Sequence, residues 1–129
     1  MADQLLTDAR VLIVEDEMLV MMSIEDMLTD LGCTRITRAS NVDEALRALQ
    51  AQPFDLATLD VNLNGEMSWG VADVLKARGI PFAFSTGYDQ TDMLPDHLAG
   101  SHVLAKPYRL DDVAHRLRQM MATGSQLPA

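Results

Sequence analysis

Val11-Leu12-Ile13-Val14 is an unbroken apolar run, mostly β-branched, that stops on three consecutive acids, Glu15-Asp16-Glu17. A run this short suits a strand buried on both faces, and such strands belong to parallel sheets covered by helices. The rest of the chain repeats the theme. Val20, Ile24, Met27, Leu28 and Leu31 recur at helical spacing before Gly32, a pattern with a stop signal at its end. A short strand is expected over 34–39. Asn41, with Glu44 three residues on, has the shape of a capping box. Ser40 or Asn41 opens a helix whose apolar face is Val42, Ala45, Leu46 and Leu49. After Pro53, the segment 54–59 reads as a third strand that delivers Asp60. Asn62-Leu63-Asn64-Gly65 reads as a loop by its turn residues. Val71, Val74 and Leu75 mark a third helix. The segment 80–85 is a fourth strand with Pro81 near its start, where proline is tolerated. The segment 89–100 contains Pro95, so a helix there is short or begins at the proline. Val103-Leu104-Ala105 is a brief fifth strand. Leu110, Val113, Leu117, Met120 and Met121 line a last helix, and 123–129 is a polar, helix-breaking tail.

Five strand–helix units joined by short connections imply an α/β, doubly wound parallel sheet with helices on both faces. The 129 residues give room for one domain, expected to span 1–129 with its core at about 10–122. Nineteen acidic against ten basic residues leave a net charge of −9. Such a surface repels nucleic-acid phosphates and anionic membranes. One cysteine, Cys33, allows no intrachain disulfide and no cysteine metal site. The first residues carry an early acid and no signal-peptide core, and the most apolar stretch is interrupted by acids. The reading is a cytoplasmic protein that binds neither DNA nor membranes.

Ligands of open parallel sheets bind at the carboxyl ends of the strands. Here the first strand ends at Glu15-Asp16, the third at Asp60, the fourth at Thr86 and the fifth at Lys106. Three carboxylates, a hydroxyl and an ammonium therefore meet at one edge. Clustered anions call for a cation, and hard oxygen donors suit Mg2+, which keeps several waters and bridges to phosphate oxygens. A carboxylate nucleophile, a metal, a cation and a hydrogen-bond donor are the equipment of phosphoryl transfer.

The order Glu15-Asp16, Asp60, Thr86, Lys106-Pro107 resembles the response-regulator receiver domain of two-component signalling. The likeness covers roughly residues 10–122. It implies a flavodoxin-like (βα)5 three-layer sandwich with strand order 2-1-3-4-5. It implies that Asp60 takes a phosphoryl group from a sensor histidine kinase or a histidine phosphotransfer protein. Asp16 would contact Mg2+ directly, Glu15 largely through water, and the Asn62 backbone carbonyl would complete the protein ligands. Thr86 and Lys106 would bind the phosphoryl oxygens, and Pro107 is similar to the family's cis-linked proline. Receivers usually carry an aromatic switch residue three positions before the lysine, where this chain has Val103. The loop after Asp60 also lacks the proline common there. Phe84-Ser85-Thr86-Gly87-Tyr88, with Pro81-Phe82 before it, resembles the box of the FAT GUY receivers, which typically are single-domain and lack that aromatic. Tyr88, Val103, Pro107 and Tyr108 are thus the candidates for switch and partner contacts, with Tyr88 expected to cover the phosphoryl site. Receivers also often pair through the fourth-helix/fifth-strand face, and a homodimer there is an expectation.

Other readings compete. A Mg2+-dependent aspartyl-phosphate phosphatase needs a second acid two residues after the nucleophile, and Asn62 stands there. A pseudo-receiver that binds partners without phosphorylation is opposed by the intact Asp60, Thr86 and Lys106 and favoured by Val103. The expected protein is a stand-alone regulator rather than a dedicated enzyme, acting as a kinase regulator, a phosphoryl shuttle or a sink. Met18, Met21 and Met22 read as packing filler, Cys33 as a bystander thiol, and His97, His102 and His115 as solvated or structural. Trp69 is expected to be exposed.

Overall fold

The computed structural model describes residues 5–87 and 93–124. Five parallel strands form the sheet: β1 (Arg10–Val14), β2 (Arg35–Ala39), β3 (Leu56–Asp60), β6 (Phe82–Thr86) and β7 (His102–Ala105). Between β3 and β6 lie two short strands, β4 (Asn62–Leu63) and β5 (Glu66–Met67), paired antiparallel as a separate hairpin. The main sheet runs β2-β1-β3-β6-β7. This is the expected 2-1-3-4-5 order once the hairpin strands are counted apart.

The four α-helices among the described residues are α1 (Met18–Asp30), α2 (Val42–Ala51), α3 (Trp69–Ala77) and α4 (Leu110–Gly124). Alternation along the strands divides the core into two layers. Leu12, Val14, Ala57, Leu59, Phe82 and Phe84 face α2 and α3. Val11, Ile13, Leu56, Ala83 and Leu104 face α1 and α4. The α2 start is capped much as expected: Glu44 N–H donates to Asn41 Oδ1 at 2.8 Å. Glu44 Oε1 in turn accepts from the N–H of Ser40 at 2.8 Å, one residue earlier than in the standard reciprocal box.

Several expectations are corrected. The described part of the segment before β7 holds no fourth α-helix but a 3-10 turn, Asp96–Leu98, short and starting at the proline as the sequence led one to expect. Pro95 precedes this turn with extended backbone, at ψ 160°. The supposed loop at 62–65 is a hairpin. Asn64 and Gly65 have φ of 56° and 92°, the two positive values a type I′ turn demands. The last helix continues to Gly124 rather than ending before 123. Leu6, in the N-terminal segment, is fully buried, and its N–H donates to the Leu31 carbonyl at 2.9 Å. Of the three methionines expected to fill the core, Met21 packs there, while Met18 and Met22 are exposed. The buried positions of this helix are Met21, Ile24 and Leu28, and residues 18 and 22 lie together on a different stripe. Trp69 is half-buried, its ring edge-on to Phe84 at 5.7 Å.

Candidate functional site

Each site residue sits where a strand gives way to a loop, because the apolar run that builds the strand ends there. Asp60 is the last residue of β3, Thr86 the last of β6, and Glu15-Asp16 and Lys106 follow β1 and β7 directly. Glu15, Asp60 and Thr86 are buried. Lys106 Nζ lies 3.2 Å from Glu15 Oε1 and 3.4 Å from Asp60 Oδ2. The backbone extends the sheet into this corner, with Lys106 N–H donating to the Thr86 carbonyl at 2.8 Å.

Glu15, Asp16 and Asp60 each bring a carboxylate oxygen within 4.8 Å of the others. The hairpin supports this cluster, since Asn64 N–H donates to Asp16 Oδ2 at 2.9 Å. Asn62 Oδ1 accepts from Gly65 N–H at 2.7 Å, so that side chain belongs to the turn. Asp16, Glu17, Asp60, Asn62, Asn64, Gly87 and Lys106 line an open cleft of about 450 Å³.

The electrostatics follow from burial. Burial first, and the Asp60 charge second, push the Glu15 carboxyl up to about 7. Burial likewise raises Asp60, with Lys106 working against it. Burial alone would lower the Lys106 ammonium, but Asp60 and Glu15 together outweigh it and the group is raised. Glu15 Oε1 is buried and attracted by Lys106, yet accepts no directed hydrogen bond. An all-oxygen donor set with an orphaned carboxylate oxygen fits a hard divalent cation.

The remaining candidates fall as follows. The Lys106–Pro107 peptide is cis. Val103 is half-buried on β7, in register with Phe84. Tyr88 lies outside the described residues. The Tyr108 hydroxyl is hydrogen-bonded to Ser85 Oγ, and burial pushes its phenol up to about 12, so it stays protonated at neutral pH. Sequence reasoning had no role for Ser85, or for the Asn64 N–H on Asp16. The Asn-Gly dipeptide is a hairpin signal that could have found the second. His97 belongs to a structural contact away from the cleft, with Nε2 2.7 Å from Asp73 Oδ1. The Cys33 thiol is buried and faces the Ala9 carbonyl at 3.6 Å.

This fold and cleft define a class that the comparisons with known proteins make explicit. Residues 11–118 match the family model of the response regulator receiver domain. The chain belongs to that family, the receiver domains of two-component signalling. It is 33% identical over 113 residues to the sensory transduction protein LytT of Bacillus subtilis, covering 85% of this chain and 47% of that protein. The chain thus spans about half the length of the curated relatives it matches. Among solved structures, SdrG from Sphingomonas melonis Fr1 is 40% identical with a TM-score of 0.79, covering 88% of this chain and 96% of that one. The receiver domain of the sensor histidine kinase PA1611 from Pseudomonas aeruginosa is 26% identical with a TM-score of 0.76, covering 88% and 98%. That structure holds a magnesium ion in its active-site cleft. No helix among the described residues is long and apolar enough to cross a membrane.

Proposed function

We propose that this chain is a phosphorylation switch in which Asp60 accepts a phosphoryl group from a phosphohistidine of a sensor kinase or phosphotransfer protein. The observation that carries this reading is the position of Lys106 Nζ, within 3.4 Å of Asp60 and 3.2 Å of Glu15, above a three-carboxylate cluster that opens to solvent. An Asp60 carboxylate oxygen attacks phosphorus, the phosphorus–nitrogen bond breaks, and the imidazole leaves as the neutral base after taking a proton. Glu15, Asp16 and Asp60 would hold Mg2+, the ion seen in the PA1611 receiver. With its side chain committed to the turn, Asn62 would add its backbone carbonyl. The ion supplies positive charge to the phosphoryl oxygens in flight. Lys106 leaves its carboxylate partners to neutralise a phosphoryl oxygen, and the Thr86 hydroxyl donates to another. The phosphoryl group carries about 1.5–2 negative charges where the Asp60 carboxylate carried one, so the phosphorylated and free states favour different arrangements of Thr86 and Lys106, and a partner that prefers one of them is switched.

The readings as phosphatase and pseudo-receiver are separated from this one by a single experiment. Wild type and Asp60→Asn are incubated with Mg2+ and acetyl phosphate, and intact mass is measured. One phosphoryl group per chain, acid-stable and base-labile, on wild type only is the expected result. Multiple turnover of unrelated phosphate esters would favour the hydrolase. No adduct from acetyl phosphate or from any kinase would leave a binding module. That residues 1–129 form a single receiver unit, the cytoplasmic location, action through proteins rather than DNA, and pairing through the β7 edge belong to this same proposal. Sedimentation of the phosphorylated and free forms tests the pairing.

A further inference from the structure

Two hydrogen bonds close a small ring beside Asp60. Ser85 and Thr86 are consecutive at the end of β6. Thr86 accepts from the Lys106 N–H at 2.8 Å. Two residues past Lys106, the Tyr108 hydroxyl meets Ser85 Oγ and completes the circuit. Thr86, which ends the strand next to that of Asp60, and Lys106, whose ammonium reaches Asp60, are therefore both residues of this ring. Ser85 is buried, and the alternation of β6 points its side chain towards α1 and α4, because Ala83 lies in that layer while Phe82 and Phe84 lie in the other. The Tyr108 ring packs against the same α1/α4 layer. Its outer side lines an apolar groove with Leu19, Val20, Ser23 and Pro107, and Lys106 borders both this groove and the acidic cleft. Val103 offers no ring and no polar atom. Leu104 packs in the α1/α4 layer, so strand alternation points the intervening Val103 side chain away from it.

We propose that Tyr108, through its hydroxyl on Ser85, is the positioning residue that couples the Thr86 and Lys106 arrangement to the surface of this receiver. This rests on Asp60 being the phosphoryl acceptor. When Thr86 and Lys106 shift to engage phosphoryl oxygens, the strand end and the lysine loop move relative to each other. The hydroxyl pair is the cross-link that passes this displacement to the ring. The change of state then emerges on the α1/α4 side of the sheet, in the position of the Tyr108 ring within the groove. Tyr108 acts through Ser85 and the lysine loop and does not touch the reacting atoms.

The test uses the full chain with 13C-labelled tyrosine, Mg2+ and beryllofluoride as the acyl-phosphate mimic, beside mass measurement of the acetyl phosphate adduct. The chain has two tyrosines, and Tyr108→Phe assigns their signals by loss. In wild type the Tyr108 ring signals move on beryllofluoride addition. In Ser85→Ala the adduct still forms at one per chain while that movement is lost, and Ser85→Thr, which restores a hydroxyl, restores it. A purely structural hydrogen bond would change melting temperature but leave the ring's response intact. If Ser85→Ala does not fold, Tyr108→Phe breaks the same bond from its outer side, and with 13C-phenylalanine its ring is expected to stay still. Ring movement in Ser85→Ala equal to wild type, movement of the Tyr108→Phe ring, or a wild-type ring that stays still despite a full adduct, overturns the coupling role alone. Absence of any adduct on wild type overturns the phosphoryl-acceptor reading and this one with it.

Discussion

Replacing Glu15 by Gln should make the metal-free protein more stable at alkaline pH and less able to respond to Mg2+. The Glu15 side chain is 2% exposed, and burial together with the Asp60 charge raises its carboxyl from an ordinary 4.5 to about 7. Because the folded-state value lies above that of the unfolded chain, Glu15 supports folding fully below about pH 4.5, and this contribution is lost as pH rises through about 7. At 1.36 kcal/mol per pH unit, the ionised form then costs about 3 kcal/mol relative to a neutral side chain. The amide of Glu15→Gln keeps the shape and removes that term. The assay is urea denaturation in EDTA from pH 4.5 to 8.5, followed by the fluorescence of Trp69, the chain's one tryptophan. With urea slopes of about 1–3 kcal/mol per molar, the Glu15→Gln midpoint should exceed wild type by roughly 1–3 M at pH 8.5 and converge with it near pH 4.5. Added Mg2+ should then reverse the order. An ion at about 100 times its dissociation constant stabilises by roughly 2.7 kcal/mol, and wild type should gain most of this while Glu15→Gln gains little. A difference between the two proteins that stays flat with pH would refute the assignment of a strained buried charge to Glu15.

Two further substitutions probe the frame around the site. Leu6→Ala removes a fully buried side chain and should cost about 2–5 kcal/mol by urea titration. The Asp60 adduct should still form, since Leu6 packs beside Leu31 at the opposite end of the sheet. Gly65→Ala places a side chain at φ 92°, which costs about 1–2 kcal/mol and should lower Tm by roughly 5 °C. Calorimetry should also show weaker Mg2+ binding, because the same turn presents the Asn64 N–H to Asp16.

The strands and the residues at their ends were legible because two signals coincide there: an apolar run long enough for one strand, and a polar residue that the run cannot absorb. Asp60 and Thr86 each close their strand for this reason. What escaped was structure made by few residues or by distant ones. The strands Asn62–Leu63 and Glu66–Met67 have two residues apiece, too few for any period to register. Leu6 is a single apolar residue before the first strand, and only the folded α1 reveals the surface it covers. Ser85 and Tyr108 are 23 positions apart and meet only because β6 and β7 pair in register. Trp69 looked exposed because a helix start usually is, and Phe84 gives it a partner that no local pattern announces.

The hydrogen bond from the hairpin to Asp16 anchors that carboxylate at the wall of the cleft. With Oδ2 accepting the Asn64 N–H, Asp16 keeps Oδ1 and a second lone pair on Oδ2 for other partners. A divalent cation held by Glu15, Asp16 and Asp60 would complete its shell with water and carbonyl oxygen. Water in that shell would mark the positions an arriving phosphoryl oxygen could take. The turn at Asn64-Gly65 would thereby let the cleft's hold on a cation depend on backbone shape at positions that contribute no carboxylate.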